Sequence, residues 1–192
     1  MNSSSIKYKN PGTSSITRFE RIHTVIFDNK KNGELLVAKE IKKLIEKNNK
    51  KRKKTVLGLA TGSSPKGIYK ILIDFHKNEN LSFKNVITFN LDEYYGLEKD
   101  RTQSYHKFMD DNLFNHIDID VKNINILDGK IDKKSIDNQC KNYEKKIKSS
   151  GGIDIQLLGI GANGHIGFNE PGSNINSITR LVKLDYKTRK DA

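Results

Sequence analysis

The sequence holds a single cysteine, Cys140, among 192 residues. One cysteine excludes an intramolecular disulfide and any cysteine-built zinc cage, and it fits a reducing cytoplasm. Long apolar runs are missing too: none approaches the roughly 18 residues of a membrane span, so no membrane partner is expected. The first 30 residues carry no apolar segment of the secretory type, and no secretory signal is expected. Acidic residues are in the minority, with 23 Asp and Glu against 35 Lys and Arg, a net charge of +12. Such an excess raises binding to nucleic acid through phosphates. However, Lys, Asn and Ile together make 72 of the 192 residues and are spread along the whole chain. That is the pattern of drift toward AT-rich codons, not of a built basic face. Only Lys47–Lys54 is a true charge run, and it lacks the interleaved aromatics on which single-stranded bases stack. It reads as a solvated helix end and linker, and no nucleic-acid partner is expected.

What is present is a regular alternation. Residues 1–20 are rich in Ser, Asn and Lys and read as an N-terminal tail or arm, leaving 21–192 as one α/β domain. At this length a chain can bury roughly 70% of its unfolded surface, so a real core is expected. Apolar residues at helical spacing predict helices over Glu34–Asn48, Ile68–Phe75 after Pro65, Gln103–His116 and Ser135–Lys148, with Cys140 on the core face of the last. A final helix is expected at Lys187–Ala192. Short apolar runs predict strands at Thr55–Ala60, Val86–Leu91, Ile124–Leu127 and Ile153–Gly159. Strands alternating with helices argue a doubly wound, mainly parallel sheet of the Rossmann-like type.

In such sheets ligands sit beyond the carboxyl ends of the strands, so the loops that follow the strands carry the functional reading. The first is Thr61-Gly62-Ser63-Ser64-Pro65. Its glycine, hydroxyls and following helix start suit an anion such as phosphate; equally, Ser63 or Ser64 could simply cap the helix. It lacks the Gly-Lys-Ser/Thr of a P-loop. The second loop sets Asp92 and Glu93 side by side. Neighbours on an extended chain point opposite ways, so one of them is expected to face the crevice. There a carboxylate can act as a general base; metal binding and capping of the next helix are the alternatives. The third loop contains Gly159-x-Gly161-x-x-Gly164, which matches a dinucleotide fingerprint, with Asp185 further on. But Gly167 and Pro171 interrupt the helix that the fingerprint needs. The loop reads better as catalytic, with His165 as a proton shuttle and Glu170 nearby to orient it. A buried structural histidine is the alternative. No clustered His/Cys set for a metal is visible, and Cys140 faces a core. One carboxylate, one histidine and an anion loop suit the isomerisation or ring opening of a sugar phosphate.

Four ordered segments then resemble the glucosamine-6-phosphate deaminases. Leu57–Pro65 looks like that family's phosphate loop, Phe89–Tyr94 like its base segment, Ser104–Phe108 like a following helix, and Gly164–Pro171 like its catalytic loop. The resemblance implies the deaminase/ribose-phosphate-isomerase type of fold. It also implies an enzyme of amino-sugar catabolism that turns glucosamine 6-phosphate and water into fructose 6-phosphate and ammonia, with no cofactor. Carried over, Asp92 moves the C2 proton to C1, His165 opens the pyranose ring with Glu170 as its partner, and Gly62, Ser63 and Ser64 hold the phosphate. Asn163 stands where some members have an acid; it is expected to orient His165 while Glu170 carries the charge. Ser173 and Arg180 fall at positions resembling part of an allosteric site. Family members continue past the point matching Ala192, so the domain is expected to be incomplete at its C-terminus. The implied partner is a small amino-sugar phosphate, with a homo-oligomer left open. The rival readings are a 6-phosphogluconolactonase, a ribose-5-phosphate isomerase, or a non-catalytic sensor of sugar phosphates.

Overall fold

The computed structural model describes residues 24–191; the expected tail at 1–20 lies outside the described residues. The first helix, α1 (Lys30–Lys50), starts where the Asn29 side chain accepts the amide N–H of Asn32. That cap begins the helix four residues before the apolar pattern does. It buries Ala38, Ile41 and Ile45. The basic run then leads into β1 (Thr55–Leu59), and α2 (Lys66–Glu79) crosses back over the sheet to β2 (Val86–Asn90). The remaining elements are α3 (Tyr105–Asn112), β3 (Ile124–Asn125), α4 (Ile136–Ser149), β4 (Ile155–Gln156) and α5 (Tyr186–Asp191).

The four strands are all parallel in the order β3-β2-β1-β4. Every residue of β1 and β2 is buried, as expected for central parallel strands covered on both faces. Strand alternation splits their side chains between two layers. Leu57, Leu59 and Val86 face Ile41, Ile45, Tyr69 and Leu72 from α1 and α2. Val56, Ile87 and Phe89 face Tyr143 of α4 on the other side, where the Phe89 and Tyr143 rings meet edge to face at 5.5 Å. The doubly wound expectation holds.

Three elements are clearly shorter than the sequence pattern suggests, the expected strand 124–127 being reduced to Ile124–Asn125. The expected strand 153–159 condenses to Ile155–Gln156, with pairing to β1 extended only by the Asp154 and Leu157 amides. Among the described residues this strand has a neighbour on one side alone, and it runs straight into a glycine-rich loop. The expected helix 103–116 splits at Leu113, whose backbone (φ −148°, ψ −60°) leaves α3 before a single turn at Phe114–His116. Its start is set by Ser104, whose hydroxyl accepts the amide of His106.

Candidate active site

The chain builds β1, β2 and β3 outward in one direction, then returns to place β4 on the other side of β1. Loops after β1 and β4 therefore diverge, and a crevice opens between them, as the general rule for such sheets requires. A cleft of about 480 Å³ lies there, lined by Thr61–Ser64 from the first loop, Asp92 and Tyr94 from the second, and His165 from the third. All three loops singled out from the sequence thus meet in one place.

In the first loop, Gly62 adopts φ +94°, a conformation that favours glycine. No side chain caps α2, whose N-cap is Pro65, so the capping alternative for Ser63 and Ser64 is not realised. Both serines line the cleft instead.

In the second loop, the adjacent acids divide two roles between them. Asp92 is 9% exposed and lines the cleft. Burial, reinforced by the negative charge of Glu93, pushes its carboxyl up to about 7. Glu93 turns away and serves α3: its carboxylate accepts the amides of Tyr94, Tyr105 and His106 and the hydroxyl of Ser104. The capping reading of this pair is therefore right for Glu93, while Asp92 faces the cleft. Because Glu93 satisfies the start of α3, Glu93→Ala is expected to cost about 2 kcal/mol of stability. Urea unfolding reads this directly, and an unchanged midpoint would contradict it.

The third loop folds back on the second. Gly167 passes so close to Asp92 that Oδ2 lies 3.2 Å from where a Cβ would stand. Phe168 packs against Tyr94 (4.9 Å between centroids) and Tyr105 (5.8 Å), and the two tyrosine hydroxyls lie 3.2 Å apart. Burial raises the phenols of both tyrosines above their usual range. This aromatic wall escaped the sequence reading, because its members come from three separate segments.

His165 sits in a polar cradle that fixes its tautomer. Its backbone N–H donates to Asn163 Oδ1 at 3.1 Å, which identifies that atom as the amide oxygen. Asn163 Nδ2 then donates to Glu170 Oε2 at 3.0 Å. His165 Nδ1 is 2.6 Å from the same Oδ1, an atom that carries no hydrogen, so Nδ1 holds the proton and Nε2 is left as the acceptor. The ring lies against Gly161: a Cβ there would stand 2.1 Å from Cε1 and 2.3 Å from Nε2. Of the glycines that suggested a dinucleotide fingerprint, Gly161 thus makes room for the histidine, and no helix follows them before α5.

The structure places Asn163 between His165 and Glu170. Glu170 is held from both sides, Oε1 accepting the amide of Asp185 at 3.0 Å. Hydrogen bonds from Thr188, Asp185 and Asn163, the first the largest influence, lower its carboxyl below the usual range. Ser173 and Arg180 stay outside the cleft. Ser173 donates to the Glu170 carbonyl at 2.7 Å, whereas Arg180 reaches Asn169 and lines a second hollow of about 220 Å³ beside Glu144. Among the described residues no group of three or more His, Cys, Asp or Glu side chains is placed to hold a metal ion, and no helix is long and apolar enough to cross a membrane.

Residues 29–174 match the model of the glucosamine-6-phosphate isomerases/6-phosphogluconolactonase. The chain belongs to this family. Among curated members of the glucosamine-6-phosphate isomerase/6-phosphogluconolactonase family, it is 58% identical over 137 residues to the glucosamine-6-phosphate deaminase of Clostridium acetobutylicum, covering 71% of this chain and 56% of that one. A solved structure of a monomeric glucosamine-6-phosphate deaminase superposes with a TM-score of 0.79 at 44% identity, covering 84% of this chain and 65% of that one. The 6-phosphogluconolactonase of Thermotoga maritima follows the same fold more distantly, with a TM-score of 0.59 at 26% identity and covering 70% of this chain and 58% of that one. The chain spans about half the length of the curated relatives it matches.

Proposed function

We propose that this chain carries the catalytic groups for isomerising deamination of glucosamine 6-phosphate to fructose 6-phosphate and ammonia, within one α/β domain and in the cytoplasm. The observation that carries the proposal is the pairing of Asp92 with His165 across one cleft. One is a carboxylate raised to about 7 and the other an imidazole whose Nε2 is free to accept a proton. Relatives named glucosamine-6-phosphate deaminase support the same reading.

The chemistry follows from these positions. The phosphate rests on Gly62, Ser63 and Ser64, where glycine lets the backbone approach and the start of α2 offers N–H groups. His165 Nε2 takes the proton of the anomeric hydroxyl and returns it to the ring oxygen, which opens the pyranose to the aldehyde. The positive charge that appears on the ring is steadied through Asn163 by the Glu170 carboxylate. Asp92 then removes the proton from C2. The electron pair moves to the C1 aldehyde, giving an enolamine. Returning the proton to C1 leaves an imine at C2, to which water adds before ammonia departs. The product is the 2-ketose. No step calls for a metal or an organic cofactor.

Incubating the purified protein with glucosamine 6-phosphate, and separately with 6-phosphogluconolactone, tests the proposal. Fructose 6-phosphate and ammonia are expected in equal amounts from the first and no hydrolysis of the second. Lactone hydrolysis alone, or no product from either, would contradict it. Glu170→Gln removes the charge behind Asn163 and is expected to lower kcat about tenfold. Unchanged turnover would show that Glu170 has no part in the reaction.

A further inference from the structure

Helix α5 follows the third loop after a largely exposed stretch, and Thr188 is the buried side chain among its described ones, 4% exposed. The segment is pinned there by Glu170, which accepts the amide of Asp185 just before the helix. Thr188 Oγ1 lies 3.2 Å from His165 Nδ1 and 3.4 Å from Asn163 Nδ2, and the same hydroxyl is near enough to the Glu170 carboxylate to lower its pKa. A threonine hydroxyl has one proton to give and two lone pairs to accept with. Nδ1 and Nδ2 both carry hydrogens, and the carboxylate carries none. The proton of Thr188 therefore goes to Glu170, and its oxygen faces the two N–H groups. One hydroxyl joins the histidine, the asparagine and the acid.

We infer that Thr188 is a positioning residue for His165: its oxygen supports the Nδ1–H of the ring while its proton holds the Glu170 carboxylate in place behind Asn163. The inference deepens the proposed reaction and rests on it for its kinetic consequence. As the ring takes up a second proton on Nε2, positive charge spreads to Nδ1–H. An oxygen already aimed there needs no reorganisation at that moment. Thr188→Val keeps the shape and removes both functions.

The test compares Thr188→Val with Thr188→Ser, after checking that both melt within a few degrees of the parent; Thr188→Ala replaces the valine variant if that one does not fold. The expected result is a fall in kcat of about tenfold for valine with KM nearly unchanged, and recovery to within about twofold for serine. The nitrogen-15 spectrum of the protein gives a second readout that needs no substrate. The His165 Nδ1–H signal, assigned by its loss in His165→Gln, should keep its position in the serine variant and shift in the valine variant, where Asn163 Oδ1 remains as its acceptor. Wild-type kcat and an unshifted Nδ1–H signal in Thr188→Val would overturn the inference, as would a serine variant that behaves like valine. If the parent chain fails to turn over glucosamine 6-phosphate, the proposed reaction falls, and the Nδ1–H comparison still decides the role of Thr188.

Discussion

Asp92→Asn is expected to lower kcat about 10³-fold while stabilising the folded chain above pH 7. The first effect follows from removing the base, since a positioned proton acceptor contributes roughly 10²- to 10⁴-fold. The second follows from burial. Asp92 is raised from 3.8 to about 7 because the carboxylate is desolvated and stands next to Glu93. Between about pH 4 and pH 7 the folded chain keeps a proton on Asp92 that the unfolded chain has already released. Folding therefore becomes less favourable as pH rises through that window, and the loss levels off above about 7. The asparagine variant does not titrate. Its advantage over the parent should be near zero below pH 4 and grow to about 4 kcal/mol above pH 7, on the order of 10 °C in melting temperature for a chain of this size. The same titration shapes the rate: the base is competent only when ionised, so kcat/KM should rise with pH and level off above about 7. Melting curves at pH 4 and pH 8 check the stability effect without any turnover. A variant that melts with the parent at both would show that the Asp92 carboxylate is not buried as described.

Gly161→Ala should lower kcat about 10²-fold and leave stability almost untouched. The new methyl would stand 2.1 to 2.4 Å from three atoms of the His165 ring. The clash is with a side chain that can swing away, and His165 is only partly buried. The fold therefore yields cheaply, but the ring must leave the position that Asn163 sets for it. A misplacement of about 1 Å in a catalytic group costs on the order of 10²-fold in rate. Kinetics and thermal melting on the same preparation separate the two effects. Full activity in the alanine variant would mean that the observed ring position is not the working one. A large loss of stability would mean that the contact supports the fold and not the site.

The central strands were legible because a run such as Val56–Ala60 has nowhere to go but the interior of a parallel sheet. Once the strands were placed, the three functional loops followed from topology alone, and strand alternation implied that only one of Asp92 and Glu93 faces the cleft. What the sequence did not show is contact across distance. Thr188 lies 23 residues from His165 on a short polar helix, and no local pattern marks it as the buried member. Tyr94, Tyr105 and Phe168 each look like ordinary loop or helix aromatics until the loops fold together. That Asn163 orients His165 was expected from the sequence; which way its amide points was not, and the backbone N–H of His165 decides that. Strand β4 was overestimated because an apolar run marks burial, whereas strand length also depends on having a neighbour to pair with.

The central claim is that Asp92 takes the C2 proton of an amino-sugar phosphate. Turnover of glucosamine 6-phosphate deuterated at C2 tests it most directly. The predicted result is slower turnover than with the protium substrate. Deuterium should be recovered at C1 of fructose 6-phosphate and in water, and Asp92→Asn should give neither product nor loss of label. Fructose 6-phosphate formed by Asp92→Asn at the parent's rate, or no turnover by the parent, would contradict the claim.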